Sequence, residues 1–259
     1  MTEGIGVYRL SAIRRGWTAW IVPSVFALIL VVLLAYSTLV VHYHNAQNRS
    51  AAARYSAAMG QTDPAERENL LVRVRSYNQT LDGSGISDPF AEVSEKDAEP
   101  TNGEYVDYAG QLSNSEILAR VRVPAAGIDL PVRRDCGGRP GANGAVHVLG
   151  SSLPVGGTST HTIIAGATGR SDATLFDHLD KVEEEDVILV EVAGQTLTYR
   201  VDQVRTVLPK KVPDLTITEG KDYVTLMTTT PRATNSHRLL VRGSRVPMNE
   251  VDEARLQDG

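Results

Sequence analysis

From Gly16 to Val41 the chain reads GWTAWIVPSVFALILVVLLAYSTLVV, without one charged residue. The part from Ile21 to Val41, at about 1.5 Å per residue, covers roughly the 30 Å hydrocarbon thickness of a bilayer, and Trp17, Trp20 and Tyr43 stand where interfacial aromatics belong. Pro23 falls near the start of this run, where a helix tolerates it. A cleaved signal peptide is the alternative, but the run exceeds the usual length of one and has no clear small-x-small cleavage site. An uncleaved anchor is the expectation. Arg9, Arg14 and Arg15 precede the run and no Lys or Arg follows it before Arg49, so the N-terminus is expected inside and everything from about His42 outside the cell membrane.

The rest of the 259 residues has an ordinary globular balance, 42% hydrophobic and 22% charged. A formal net charge of -5, with no basic stripe or block, sets nucleic acid aside as a partner. Cys136 is the sole cysteine, so no internal disulfide forms. No cofactor or metal is expected.

Residues 46 to 59 are alanine-rich and continue a helix away from the membrane. Asp63, Pro64 and Glu66 then form the start signal of a second helix, with Leu70, Val74, Tyr77 and Leu81 on one face. DGSGISDPFAE breaks regular structure, and the polar stretch to about Gly110 reads as loop. From Ile117 short strands dominate: ILARVRVP, IDLPV, AVHVLG, TIIAG, DVILVEV, TLTYRV, TVL, YVTLMT and HRLLVRG. Such spacing predicts a mainly β fold, a closed or nearly closed barrel. The turn around Gly194 is the clearest hairpin, and ATLFDHLDKV is the one short helix expected among the strands. The predicted organisation is a cytoplasmic N-terminus (1–16), a transmembrane helix (17–41), a helical stalk (42–82), a lid and loop (83–110), the β-barrel (111–247) and an acidic tail (248–259).

Three ordered segments carry a resemblance: YNQTLDGSGISDPF, GSSLPVGGTSTHTIIAGATGRSDATLFDHLD and YVTLMTTTPRATNSHRLLVRG. Together with VPAAGIDLPV and the N-terminal anchor, they resemble the pilin-polymerising, class C branch of the sortases, membrane-anchored cysteine transpeptidases. The resemblance covers about Tyr77 to Pro247. It implies a sortase-type closed β-barrel and, as partners, LPXTG-type sorting-signal peptides or pilin subunits. In such enzymes a thiolate attacks the Thr-Gly bond of the signal, a histidine handles the proton, an arginine steadies the oxyanion, and an amine resolves the thioester.

Matched residue by residue, the family's histidine falls on Ala167 and its cysteine on Thr229, while the arginine is retained as Arg238. A threonine hydroxyl is a poor nucleophile without a base held against it. In a serine protease, loss of the nucleophile or the base costs on the order of a million-fold in turnover. Sortase chemistry at Thr229 is therefore expected to be absent. Cys136 follows a different strand and reads as an incidental thiol. His237 neighbours Arg238 and should face the other way on a strand; His147 and His161 read as structural or surface histidines, and His178 has no motif around it.

For Asp88, Pro89 and Phe90 the resemblance implies a lid in which Asp88 reaches Arg238 and Phe90 covers Thr229. A plain Asp-Pro turn is the alternative, just as Arg238 has the alternative of a merely structural ion pair. Three functional readings stay open. The chain is a binding or scaffold pseudoenzyme of pilus assembly, an inactivated variant of an active pilin-polymerising sortase, or a structural surface protein with a vestigial cleft.

Overall fold

A computed structural model describes residues 9–83, 86, 88–91, 116–134, 140–209, 215–232 and 234–249. Cys136, most of the predicted loop up to Gly110 and the end of the acidic tail lie outside the described residues.

The apolar run and the alanine-rich stretch form one continuous helix, α1 (Arg9–Gln61). It begins before the apolar run, so Pro23 falls inside the helix rather than in its first turn, where proline forfeits one intrahelical hydrogen bond. Side chains such as Val25, Phe26, Leu33 and Leu39 are exposed along it. α2 (Pro64–Asn78) starts as its sequence dictates: the Asp63 carboxylate accepts from the N–H groups of Ala65 and Glu66, at 3.0 and 3.2 Å.

The buried face of α2 is rotated from the expected one. Leu71, Val74 and Asn78 are buried, whereas Leu70 and Tyr77 are only partly covered. Asn78 is the cause. Its amide donates to the Leu153 carbonyl at 3.0 Å and accepts the Leu153 N–H at 2.7 Å, a two-way bond that draws a polar side chain inward.

Eight strands close into a barrel in the order β1-β2-β3-β4-β7-β8-β6-β5. They are β1 (Ile117–Val123), β2 (Ile128–Arg133), β3 (Ala145–His147), β4 (Thr160–Ala165), β5 (Val187–Val192), β6 (Gln195–Val207), β7 (Asp222–Thr230) and β8 (His237–Val246). The hairpin between β5 and β6 turns on Ala193 and Gly194, both at positive φ (46° and 74°), the conformation a two-residue turn of this hand requires. TLTYRV and TVL, which read as two strands, are the two ends of β6. The pairing with β8 shifts between Val201 and Gln203, and Asp202 in that bulge takes Arg242 Nε at 2.9 Å.

ATLFDHLDKV does not form the expected helix. It is a series of turns ending in one 3-10 turn, Leu179–Lys181. Phe176 within it is wholly buried, and its ring fills the space beside Gly166: a Cβ on Gly166 would lie 2.5 Å from that ring. Packing of one aromatic, more than helix propensity, fixes the segment.

Candidate active site

β4 and β7 pair in parallel, Ala165 opposite Met227, and β7 pairs antiparallel with β8, Thr229 opposite Arg238. The sheet therefore brings the end of β4, the end of β7 and the start of β8 to one rim of the barrel. A cleft of about 700 Å³ opens there, lined by Ala167, Thr168, Thr229, Asn235, Arg238 and, from before the barrel, Asp88 and Phe90.

Thr229 is buried at 7% exposure, and its hydroxyl donates to Asn235 Oδ1 at 2.8 Å. Thr168 Oγ1 lies 3.2 Å from the same hydroxyl and donates to the Thr229 carbonyl at 3.0 Å. An amide oxygen and a second hydroxyl hold Thr229 in place but neither is a base at neutral pH. Ala167 contributes only a methyl. Among the described residues that line the cleft there is no histidine and no cysteine.

Arg238 is buried and fully engaged. Nε and Nη2 meet the Asp88 carboxylate, with Nε–Oδ2 and Nη2–Oδ2 both 2.9 Å, and Nη1 donates to the carbonyls of Asn235 and His237 at 2.9 and 3.2 Å. Its guanidinium carbon sits 5.4 Å from the centre of the Phe90 ring, within cation–π range. Asp88 also forms a turn of its own, Oδ1 accepting the Phe90 N–H at 3.0 Å. The Asp-Pro turn and the reach to Arg238 thus coexist in one residue. Pro89 holds the turn, and Phe90 is buried among Val148, Ile163, Ala165, Met227 and Leu240.

The histidines fall away from the cleft. His147 is completely buried, bonded to the Ser152 carbonyl at 2.9 Å, and burial lowers its pKa to about 4. His161, lowered by burial too, lies between the Thr216 carbonyl and Thr225 Oγ1. His237 bonds to Ser236 Oγ at 2.9 Å. His178 precedes the 3-10 turn.

Thr168 and Asn235, which hold the Thr229 hydroxyl, are among the cleft residues that the sequence does not single out. Both adjoin positions it does, Thr168 after Ala167 and Asn235 in NSHR. Asn235 adopts a positive φ of 51°, a conformation asparagine accepts more readily than most residues.

The matches to known proteins agree with this geometry. Residues 121–246 match the sortase domain family model. The chain is similar to sortase C of Streptococcus pneumoniae, at 36% identity and a TM-score of 0.67, covering 77% of this chain and 97% of that one. Sortase C-1 of Actinomyces oris matches at 38% identity and 0.67, covering 71% and 100%. A pilus-related sortase C of Group B Streptococcus matches at 34% and 0.66, covering 74% and 95%. No curated protein matches the chain. The chain belongs to the sortase family, and its structure is closely similar to those of the pilin-polymerising class C sortases.

Proposed function

We propose that this is a cell-surface sortase of the class C type that keeps a cleft for LPXTG-type sorting signals, or for pilin subunits bearing one, and has lost transpeptidase chemistry. One observation carries the reading: the positions matched to the family's histidine and cysteine, Ala167 and Thr229, line the same cleft as Arg238, and the Thr229 hydroxyl is bonded to a neutral amide. Arg238 alone of the three retains a group that binds an oxyanion or a peptide carbonyl. The chain acts as a binder or scaffold in pilus assembly, anchored by α1 with the barrel on the outer face. The domain limits follow the sequence reading, with residues 17–41 as the span and 111–247 as the catalytic-type barrel.

Asp88, Pro89 and Phe90 act as a lid. With Asp88 paired to Arg238, the guanidinium is not free to receive a peptide, so binding requires the Asp88 turn to swing out. Titration calorimetry of the full chain in detergent with an LPXTG-type peptide tests the reading. Binding that weakens at least tenfold on Arg238→Ala is expected. No binding at millimolar peptide, to the parent chain or to Asp88→Ala, overturns it.

A further inference from the structure

α1 runs along the barrel wall and is bonded to it at two levels. At one level His44 Nδ1 meets the Asp172 carbonyl at 2.9 Å, and Asn45 clasps Thr174: Nδ2 donates to Thr174 Oγ1 at 2.8 Å and Oδ1 accepts the Thr174 N–H at 3.1 Å. Asp172 in turn holds Arg170, a residue of the cleft wall, through two contacts of 2.8 Å. At the other level the Tyr55 hydroxyl donates to the Leu118 carbonyl at 2.7 Å and accepts the Ala193 N–H at 3.3 Å, and Ser56 donates to Glu191 at 2.5 Å.

These two levels are opposite ends of the barrel. β6 leaves the Ala193–Gly194 hairpin at Gln195 and arrives at the cleft, where Val207 pairs with Arg238. The N-terminal part of the docked helix is therefore at the cleft, and the helix passes from there toward the hairpin end. The apolar run ends at Val41. His44 and Asn45 follow it by three and four residues, about 4.5 and 6 Å along the axis. The polar layer on each side of a bilayer's hydrocarbon core is itself only about 5–7 Å thick.

We infer that the cleft mouth lies against the bilayer surface that α1 enters. The helical segment beyond Asn45 does not lift the barrel off the membrane; it runs away from the membrane beside a barrel whose cleft end is already down. This rests on α1 being a membrane anchor, as proposed above, but not on the identity of the peptide.

Depth-dependent quenching tests it on the full chain. In a Cys136→Ser background, one fluorophore is attached at Thr234→Cys, on the cleft rim, or at Glu219→Cys, beyond the opposite end of β7. Each protein is reconstituted in phosphatidylcholine–phosphatidylglycerol vesicles carrying a headgroup-linked quencher. Quenching at 234 several-fold stronger than at 219 is the expected result. Equal quenching, or stronger quenching at 219, in protein that floats with the vesicles overturns the inference and leaves the anchor standing. Protein that does not float with the vesicles overturns both.

Discussion

Thr229 and Ala167 lie 62 positions apart in the chain and at one rim of the barrel, because β4 and β7 pair in parallel. Neither carries a titrating group. The charged group of the cleft centre is Arg238, whose polar contacts, to Asp88, Asn235 and His237, are all internal. Removing one partner of a buried ion pair leaves the other charge uncompensated, a loss of roughly 3–5 kcal/mol when the structure cannot relax. The lid can relax, so Asp88→Ala should open it: faster backbone hydrogen exchange at residues 88–91 and a several-fold gain in peptide affinity, with the melting temperature of the barrel little changed. Arg238→Ala should also free the lid but weaken peptide binding, and the opposite responses separate a gate from a mere structural tether.

His147 makes a prediction of a different kind. Its folded pKa, lowered by burial to about 4, lies below the ordinary histidine value of 6.5. The unfolded chain therefore takes up the proton first, and stability is full above about pH 6.5 and falls as pH drops toward 4. The loss by pH 4 is roughly 3 kcal/mol, with His161, also lowered by burial, adding in the same direction. Denaturant midpoints measured between pH 7.5 and 4.5 should fall, and His147→Asn should flatten the fall even where it lowers the midpoint at pH 7.5. The individual site positions are named through motif likeness alone. The bonds of Thr229 to Asn235 and Thr168 were not legible, since no local pattern encodes which hydroxyl a folded rim brings within 3 Å.

At the scale of elements, the strands were the easiest part to read, because alternation and β-branched residues mark a half-buried pleated surface directly. The Ala193–Gly194 turn was legible for the same local reason. The departures all come from long-range partners. Asn78 turns α2 by bonding to Leu153, Asp202 sits in a bulge that joins two apparent strands, and Phe176 replaces a helix with a packed turn against Gly166. Gly166→Ala should accordingly cost about 1–3 kcal/mol by overpacking, seen as a lower denaturant midpoint. Because Gly166 immediately precedes Ala167, the same substitution should also weaken peptide binding. Replacing the clasp with Asn45→Ala and Thr174→Val should reduce headgroup quenching at position 234 while leaving vesicle flotation intact.

For the molecule as a whole, a closed barrel has no free strand edge, so its frame tolerates replacement of rim side chains without loss of fold. On the proposed reading, that is how a cleft persists without its nucleophile and base. A closed or nearly closed barrel was expected from spacing, but the order of the strands in the sheet was not, since parallel pairing of β4 with β7 depends on contacts far apart in sequence. The central claim is that the frame is competent and only the chemistry is missing. Intact-mass analysis tests it most directly: the chain and its Ala167→His, Thr229→Cys counterpart are each incubated with an LPXTG-type peptide and an amine acceptor. The account predicts no cleavage and no adduct on the parent chain, and cleavage with amine transfer by the double variant. Cleavage or a covalent adduct on the parent chain would contradict it, with Cys136 the first residue to map.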